Sequence, residues 1–173
     1  MKNCKFFPFL LLFFFALPTS ICHAESETKI IPDDGVTWAH FGNSASTNGC
    51  YALIGAIFDD DNGGESGSAY VYHFEGENWT QQAKLTASDG TVQDHFGGSV
   101  SIDGDYAIIG AAYNDDNGDN CGSAYIFHKN GETWTEQAKL IPDDNEAGDG
   151  FGSSVSICDD FVVIGAFGDD DNG

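Results

Sequence analysis

The sequence repeats with a period of 55 residues, and this period constrains the fold more than any other feature. Residues 79–118 and 134–173 align without a gap, and 22 of the 40 aligned positions are identical. Short motifs recur at the same offset: Phe-Gly at 41–42, 96–97 and 151–152, and Gly-Ala at 55–56, 110–111 and 165–166. A tandem period of this length is typical of molecules built from stacked copies of one small unit.

Each unit contains four strand candidates, which in the middle copy are residues 98–102, 106–111, 123–128 and 134–140. All four are rich in β-branched or aromatic residues and are bounded by turn formers such as Asp-Gly and Asn-Gly. No apolar stripe of helical period accompanies them, so we expect an all-β chain. Four antiparallel strands per unit predict β-propeller blades, with a β-solenoid as the alternative. The second strand, apolar on both faces, favours a blade packed between two neighbours.

The repeat units divide the chain into two complete copies and one partial copy. The units are about 41–86, 96–141 and 151–173, or about 2.6 repeats within a repeat region of 25–173. Residues 29–34 align with residues 139–144, which end a fourth strand. We therefore expect the repeat region to begin with an isolated fourth strand.

The first 24 residues have the pattern of a signal peptide. Lys2 and Lys5 precede an apolar run of about 12 residues, and Ala24 fits a cleavage site. A membrane anchor is the alternative, but a span needs roughly 20 apolar residues. We expect a secreted or cell-surface protein, periplasmic or extracellular, with no membrane span after cleavage. Three cysteines would remain, Cys50, Cys121 and Cys158, and an odd number leaves at least one unpaired within the chain.

The charge balance excludes nucleic acid as a partner. The chain has 28 acidic residues, six lysines and no arginine, giving a net charge of −22, whereas phosphate binding needs basic residues. In an up-and-down sheet, the second-to-third loops and the loops between units share one end. Eighteen of the acidic residues lie in these loops: Asp33, Asp34, Asp59, Asp60, Asp61, Glu65, Asp89, Asp94, Asp115, Asp116, Asp119, Asp143, Asp144, Glu146, Asp149, Asp169, Asp170 and Asp171. We expect one strongly negative face.

The recurring motifs resemble the FG-GAP repeats of integrin-α-type propellers, in the variant common in exported bacterial proteins. The likeness rests on Phe-Gly, Ser-Val-Ser-Ile, Gly-Ala and Gly-Ser-Ala-Tyr in phase. It implies part of a seven-bladed propeller with a binding or adhesion role and no catalysis. Seven units need more residues than this chain has, so we expect further blades in a longer chain or self-association.

Calcium is one interpretation of the acidic loops. The integrin-type calcium loop does not transfer, because turns such as 103–105 are too short to wrap an ion. The loops after the second strands resemble a calcium loop that lacks its first ligand. The candidate Ca²⁺ ligands are Asp59, Asp61, Asp115, Asp116, Asp169 and Asp171. Two other interpretations stay open: aspartates that simply form turns, and a docking face for a basic protein or a glycan.

Catalysis is not expected from these residues. His40 and His95 occupy one repeat position, and His73 and His128 occupy another, which indicates a role in every blade. No Gly-x-Ser-x-Gly or phosphate-loop motif is present. The sequence thus predicts an exported, non-catalytic binding or adhesion module whose acidic face takes a cation or a basic partner. The alternative is a fragment of a larger secreted hydrolase, or a purely structural repeat segment.

Overall fold

The computed structural model describes residues 28–35 and 37–170, and this part of the chain contains strands but no helix. The expected signal peptide, residues 1–24, lies outside the described residues. The strands are β1 Phe41–Asn48, β2 Tyr51–Ala56, β3 Ser68–Glu75, β4 Asn78–Leu85, β5 Ser99–Asp103, β6 Tyr106–Ala111, β7 Ser123–Asn130, β8 Thr133–Leu140, β9 Phe151–Cys158 and β10 Phe161–Ala166.

The strands form three antiparallel sheets, one for each repeat. Two sheets have four strands in the order β1-β2-β3-β4 and β5-β6-β7-β8, and the third contains β9 and β10. The all-β class and the four-stranded units are thereby confirmed. The expected strands of the middle unit agree with β5 to β8 to within two residues at each end. We call the three sheets blades 1, 2 and 3.

The main core lies between blades 1 and 2. Leu53 and Val71 of blade 1 pack in one cluster with Val100 and Ile109 of blade 2. On β6 of blade 2, Ala107, Ile108 and Ile109 are all fully buried, as expected for a strand covered on both faces. On β10 the expectation fails, because no described sheet covers the outer face of blade 3. There Phe161 is 76% exposed and Val163 is 70% exposed.

The Phe-Gly and Gly-Ala motifs form the contact between consecutive blades. Phe96 is fully buried, with its ring 5.4 Å from Tyr125 and 6.0 Å from Phe127. Gly97 has a φ of 90°, a conformation that favours glycine, and its carbonyl accepts a hydrogen bond from Ser44 Oγ of blade 1 at 2.8 Å. A Cβ atom on Gly55 would overlap this carbonyl. Because Gly55 in β2 has no side chain, the backbone of the next blade can approach it closely.

The segment before β1 is packed but does not form the expected fourth strand. Residues 28–32 have no strand pairing. Ile30 packs against the second apolar cluster, and the carbonyl of Ile31 accepts a hydrogen bond from Tyr72 Oη at 3.0 Å. The expectation of an isolated fourth strand was therefore wrong for the described residues, since no strand lies beside the segment to pair with it.

Candidate functional site

The acidic loops meet at one end of the blades, as the topology predicted. The loop after the second strand of one blade bonds to the connection that leads into the next blade. Gln93 N donates to Gly64 O at 2.9 Å, and Gly148 N donates to Asp119 O at 2.9 Å. We call this end, residues 57–67, 86–98, 112–122 and 141–150, the loop face. The opposite end carries the tight hairpins between β1 and β2, β5 and β6, and β9 and β10, and we call it the turn face.

In blade 1 a lysine ammonium pairs with two of the predicted metal ligands, Asp59 and Asp61, and with Asp34. Lys84 Nζ lies 2.7 Å from Asp34 Oδ2, 3.0 Å from Asp59 Oδ2 and 2.6 Å from Asp61 Oδ2. Asp59 is fully buried, whereas the Asp61 side chain is 52% exposed. One positive charge thus meets three carboxylates, so this cluster, the Lys84 cage, keeps a negative balance.

A buried tyrosine completes the Lys84 cage. Tyr70 Oη lies 2.9 Å from Asp34 Oδ2 and 3.0 Å from Asp59 Oδ2. Lys84 Nζ lies 5.3 Å from the centroid of the Tyr70 ring, within the range of a cation–π contact. The ring therefore contributes to holding the ammonium in place.

The pKa values in the Lys84 cage follow from its charges. Burial alone would lower the pKa of Lys84, but hydrogen bonds to Asp34, Asp61 and Asp59 outweigh it and raise the pKa. Burial would raise the pKa of Asp34, but the bonds from Lys84 and Tyr70 lower it overall. The ammonium and the Asp34 carboxylate are therefore both charged at neutral pH.

Blade 2 repeats the cage with one carboxylate fewer. Lys139 Nζ pairs with Asp89 Oδ2 at 2.8 Å and with Asp116 Oδ2, and Tyr125 Oη donates to Asp89 Oδ1 at 2.9 Å. Asn114 occupies the repeat position of Asp59 and is 1% exposed. This Lys139 cage also keeps a negative balance, because two carboxylates meet one ammonium.

Asn114 faces a buried carboxylate that blade 1 does not have. Asn114 Nδ2 donates to Asp94 Oδ2 at 3.2 Å, and its Oδ1 accepts from Ser123 Oγ at 2.8 Å. Asp94 is 1% exposed, and its repeat counterpart in blade 1 is Ala39. Each of the two blades thus buries one carboxylate. In blade 1 it is Asp59, in the loop after the second strand, and in blade 2 it is Asp94, in the connection before the first strand.

The remaining predicted ligands are Asp115, Asp169 and Asp171. Asp115 Oδ1 accepts the backbone N–H of Asn120 at 2.7 Å, within its own exposed loop. Asp169 is exposed in the segment that follows β10, and Asp171 lies outside the described residues. In residues 28–35 and 37–170, no group of three or more His, Cys, Asp or Glu residues is arranged to hold a metal ion.

Several other acidic side chains stabilise the loops that carry them. Asp60 Oδ1 accepts the N–H of Glu65 at 2.7 Å, and Asp149 Oδ2 accepts the N–H of Glu146 at 2.7 Å. Asp94 accepts both the N–H and the hydroxyl of Thr91. These bonds are the kind that aspartate makes in turns.

Sequence reasoning missed the two caged lysines. Lys84 and Lys139 lie at the same repeat position, each in Ala-Lys-Leu of a fourth strand. The available signal was their number: only four lysines remain after residue 24, and two of them recur with the same tyrosine and aspartates. A lysine repeated in phase with buried acidic loops could have been recognised as their internal counter-ion.

The described histidines are packed against aromatic rings. The His40 and Phe58 ring centroids are 4.3 Å apart, and the His73 and Tyr51 centroids are 4.6 Å apart. His95 lies 4.9 Å from Tyr113. This placement agrees with the structural role that their repeated positions indicated.

The three cysteines among the described residues are free thiols. Cys50 and Cys158 are exposed at the turn face, and Cys121 is buried beneath the loop face. A disulfide between them is therefore not part of this fold.

The fold and its inter-blade contacts define a repeat protein made of propeller-type blades. A family model described as FG-GAP repeat matches residues 25–72, 79–127 and 134–173. The chain therefore belongs to the FG-GAP repeat family, as the motifs indicated. A search of curated proteins found no match.

The matched segments are offset from the blades. The second begins at Trp79 in β4 and ends at Phe127 in β7. One family repeat thus joins the fourth strand of one blade to the first three strands of the next.

Proposed function

We propose that this chain is an exported binding or adhesion module without catalytic activity, and that its loop face binds a basic partner protein. The observation that carries the proposal is the negative balance of the two cages. Their lysines neutralise only part of the acidic side chains around them, since three carboxylates meet Lys84 and two meet Lys139. A surface of one sign attracts partners of the opposite sign.

Exposed acids beyond the cages support the same proposal. Asp119, Asp143 and Asp144 lie on the loop face and are exposed. FG-GAP repeats are typical of extracellular and surface proteins, which agrees with the signal-like residues 1–24. In the described part of the chain, no helix has the length and apolar character needed to cross a bilayer.

A charge-matched pair of variants tests the loop face. Asp119→Asn with Asp143→Asn removes two charges from it, whereas Glu77→Gln with Glu132→Gln removes two from hairpins at the opposite end. With a lysine-rich peptide as probe, we expect about two- to ten-fold weaker binding for the first pair only, measured by calorimetry at low salt. Equal loss in both pairs would mean that net charge alone matters.

Export is tested by expression with the native N-terminus. Mass spectrometry of the exported protein should give a chain that begins at Glu25. Retention of an intact N-terminus in the cytoplasm would overturn this part of the proposal.

Calcium remains a separate prediction. A calcium ion at Asp59 and Asp61 would have to displace the Lys84 ammonium, because both need the same carboxylate oxygens. Thermal unfolding with and without millimolar calcium tests this. A calcium-dependent rise in Tm would support ion binding, and an unchanged Tm would contradict it.

A further inference from the structure

Trp38, in the segment before β1, combines high exposure with an unusual backbone conformation. Among the described residues it has the most exposed large apolar side chain, at 82%. Its φ is 74°, in the left-handed region, where a bulky residue is rare and strained. The protein thus holds a large aromatic ring in solvent at a position that is unfavourable for tryptophan.

The same conformation recurs at this repeat position in the other two blades, with different residues. Gln93, before blade 2, has a φ of 68°, and Gly148, before blade 3, has a φ of 94°. Glycine adopts this conformation without strain. The fold therefore requires a left-handed residue at this position, but it does not require a tryptophan.

This position is exposed even where a preceding blade packs against it. Gln93 N donates to Gly64 O of blade 1 at 2.9 Å, and Gly148 N donates to Asp119 O of blade 2 at 2.9 Å. Gln93 and Gly148 are nevertheless both exposed. The exposure of Trp38 is therefore a property of its repeat position and does not depend on what precedes blade 1.

Trp38 lies at the same end of blade 1 as the acidic loops. The carbonyl of Ala39, the next residue, accepts a hydrogen bond from Phe58 N at 3.0 Å, and Phe58 belongs to the loop face. The segment of Trp38 also contains Asp33, which is exposed, and Asp34, which belongs to the negatively balanced Lys84 cage. The ring thus lies on a surface whose charge attracts cations.

We propose that an arginine side chain of the basic partner protein stacks on the Trp38 ring. This inference rests on the proposed function, since it names one contact between the loop face and that partner. Tryptophan is the aromatic residue that attracts a cation most strongly, and the planar guanidinium group stacks on such a ring. Tryptophan and arginine are also enriched among the residues that contribute most to binding at protein interfaces.

The protein uses the same kind of contact internally. Lysine ammonium groups lie 4.9 to 5.3 Å from the centroids of three tyrosine rings: Lys84 from Tyr70, Lys129 from Tyr51 and Lys139 from Tyr125. These are three of the four lysines after residue 24, and the sequence has no arginine. A guanidinium group on Trp38 therefore has to come from another molecule.

NMR of the tryptophan indole N–H groups tests the proposal. The protein has three tryptophans, and the indole signal that Trp38→Gln removes belongs to Trp38. The probe is acetyl-Gly-Arg-Gly-Arg-Gly-Arg-Gly-amide, and the control is the same peptide with citrulline, which keeps the shape of arginine without its charge. We expect the Trp38 signal to shift with the first peptide only. Shifts of equal size with both peptides would overturn the proposal.

Trp38→Gln also measures the contribution of the ring, because glutamine already occupies this position before blade 2. We expect the affinity for the arginine peptide to fall about two- to five-fold at low salt. Phe74→Leu is the matched control, since it removes a ring that is 36% exposed beside a hairpin at the opposite end, and it should leave the affinity unchanged. Equal affinity in Trp38→Gln and the unmodified protein would overturn the proposal.

Stability provides a measurement that is independent of the peptide. Trp38→Gly introduces the residue that blade 3 has at this position, and glycine relieves the strain of a positive φ. We expect a Tm at least equal to that of the unmodified protein. A lower Tm would mean that the Trp38 ring packs on the protein itself, and it would overturn the proposal.

The outcomes separate this contact from the proposed function. Weaker binding of the arginine peptide in Asp119→Asn with Asp143→Asn, but not in Trp38→Gln, would overturn the contact and leave the proposed function standing. Weaker binding in Trp38→Gln alone would support the contact and contradict the role of the acidic surface. If the unmodified protein does not bind the arginine peptide, both are overturned.

Discussion

At the residue scale, lysine acts as the resident counter-ion of the acidic loops. Lys84 and Lys139 each neutralise carboxylates that come from two separate segments of chain, and each ammonium lies over a tyrosine ring. Because Asp59 is fully buried, it needs a partner charge, and burying it without one would be costly. The cages therefore explain how so acidic a chain packs its loops closely.

Removal of Lys84 should destabilise the protein in a pH-dependent way. We expect Lys84→Met to lower the free energy of unfolding at pH 7 by about 2 kcal/mol. This loss is smaller than the loss expected for a fully buried ion pair, because Asp34 and Asp61 are partly exposed. The pKa of Asp34 is lowered, so its contribution is present above the unfolded value near 4 and is lost as the pH falls through the folded value. Urea unfolding of both proteins from pH 7 to pH 3 should show the difference shrinking.

The difference in unfolding free energy between the unmodified protein and Lys84→Met should also shrink at alkaline pH. The pKa of Lys84 is raised, so its contribution is complete below about 10.4 and is lost as the pH rises through the folded value. Lys29→Met, at an exposed position, is the control and should change stability by less than about 0.5 kcal/mol. A difference that does not vary with pH would contradict the ion-pair explanation.

The Asn114–Asp94 pair allows a second test of buried charge. Asn114→Asp would place two carboxylates about 3.2 Å apart in a buried site, and we expect a loss of about 2 to 3 kcal/mol. Adding Asp94→Ala recreates the combination of blade 1, where Asp59 accompanies Ala39. The double variant should recover stability relative to Asn114→Asp, measured by chemical denaturation. Additive losses would show that the two positions are not coupled.

At the element scale, the blade contact depends on glycine in the second strand. A Cβ atom on Gly110 of β6 would overlap the carbonyl of Gly152 in the next blade. That carbonyl also accepts a hydrogen bond from Ser99 Oγ at 2.7 Å, so moving it would break the bond. The motif glycines thus determine how closely two blades approach.

Substitution of this glycine should loosen the contact. We expect Gly110→Ala to lower the free energy of unfolding by about 1 to 3 kcal/mol, as other overpacked cores do. Gly64→Ala is the matched control, because nothing lies within 4 Å of its Cβ position and its φ is not positive. Thermal unfolding of both variants measures the effect. Equal Tm values for Gly110→Ala and Gly64→Ala would contradict this prediction, because they would mean that the contact accommodates the added methyl group without strain.

At the scale of the whole molecule, the two ends of the blade stack differ. Residues 28–34 cover part of the outer face of blade 1, where Ile30 packs against its apolar cluster. The outer face of blade 3 exposes Phe161 and Val163. An exposed apolar face of this kind favours association.

The 173-residue sequence should therefore associate as its concentration rises. Sedimentation velocity is expected to show larger species at higher concentration, and Val163→Lys should reduce them. Val92→Lys is the control, because Val92 is 60% exposed but lies on the loop face. A monomer at all concentrations would contradict this prediction.

The sequence by itself determined the repeat, the all-β class, the four strands of each blade and the end at which the acidic loops meet. These features follow from local patterns, because strand alternation and turn residues act over a few neighbouring positions. Only the tertiary structure decided that Lys84 lies among Asp34, Asp59 and Asp61. The physical reason is distance along the chain: Asp34 and Lys84 are 50 positions apart. Their meeting depends on the sheet register and the stacking of blades, which no local pattern encodes.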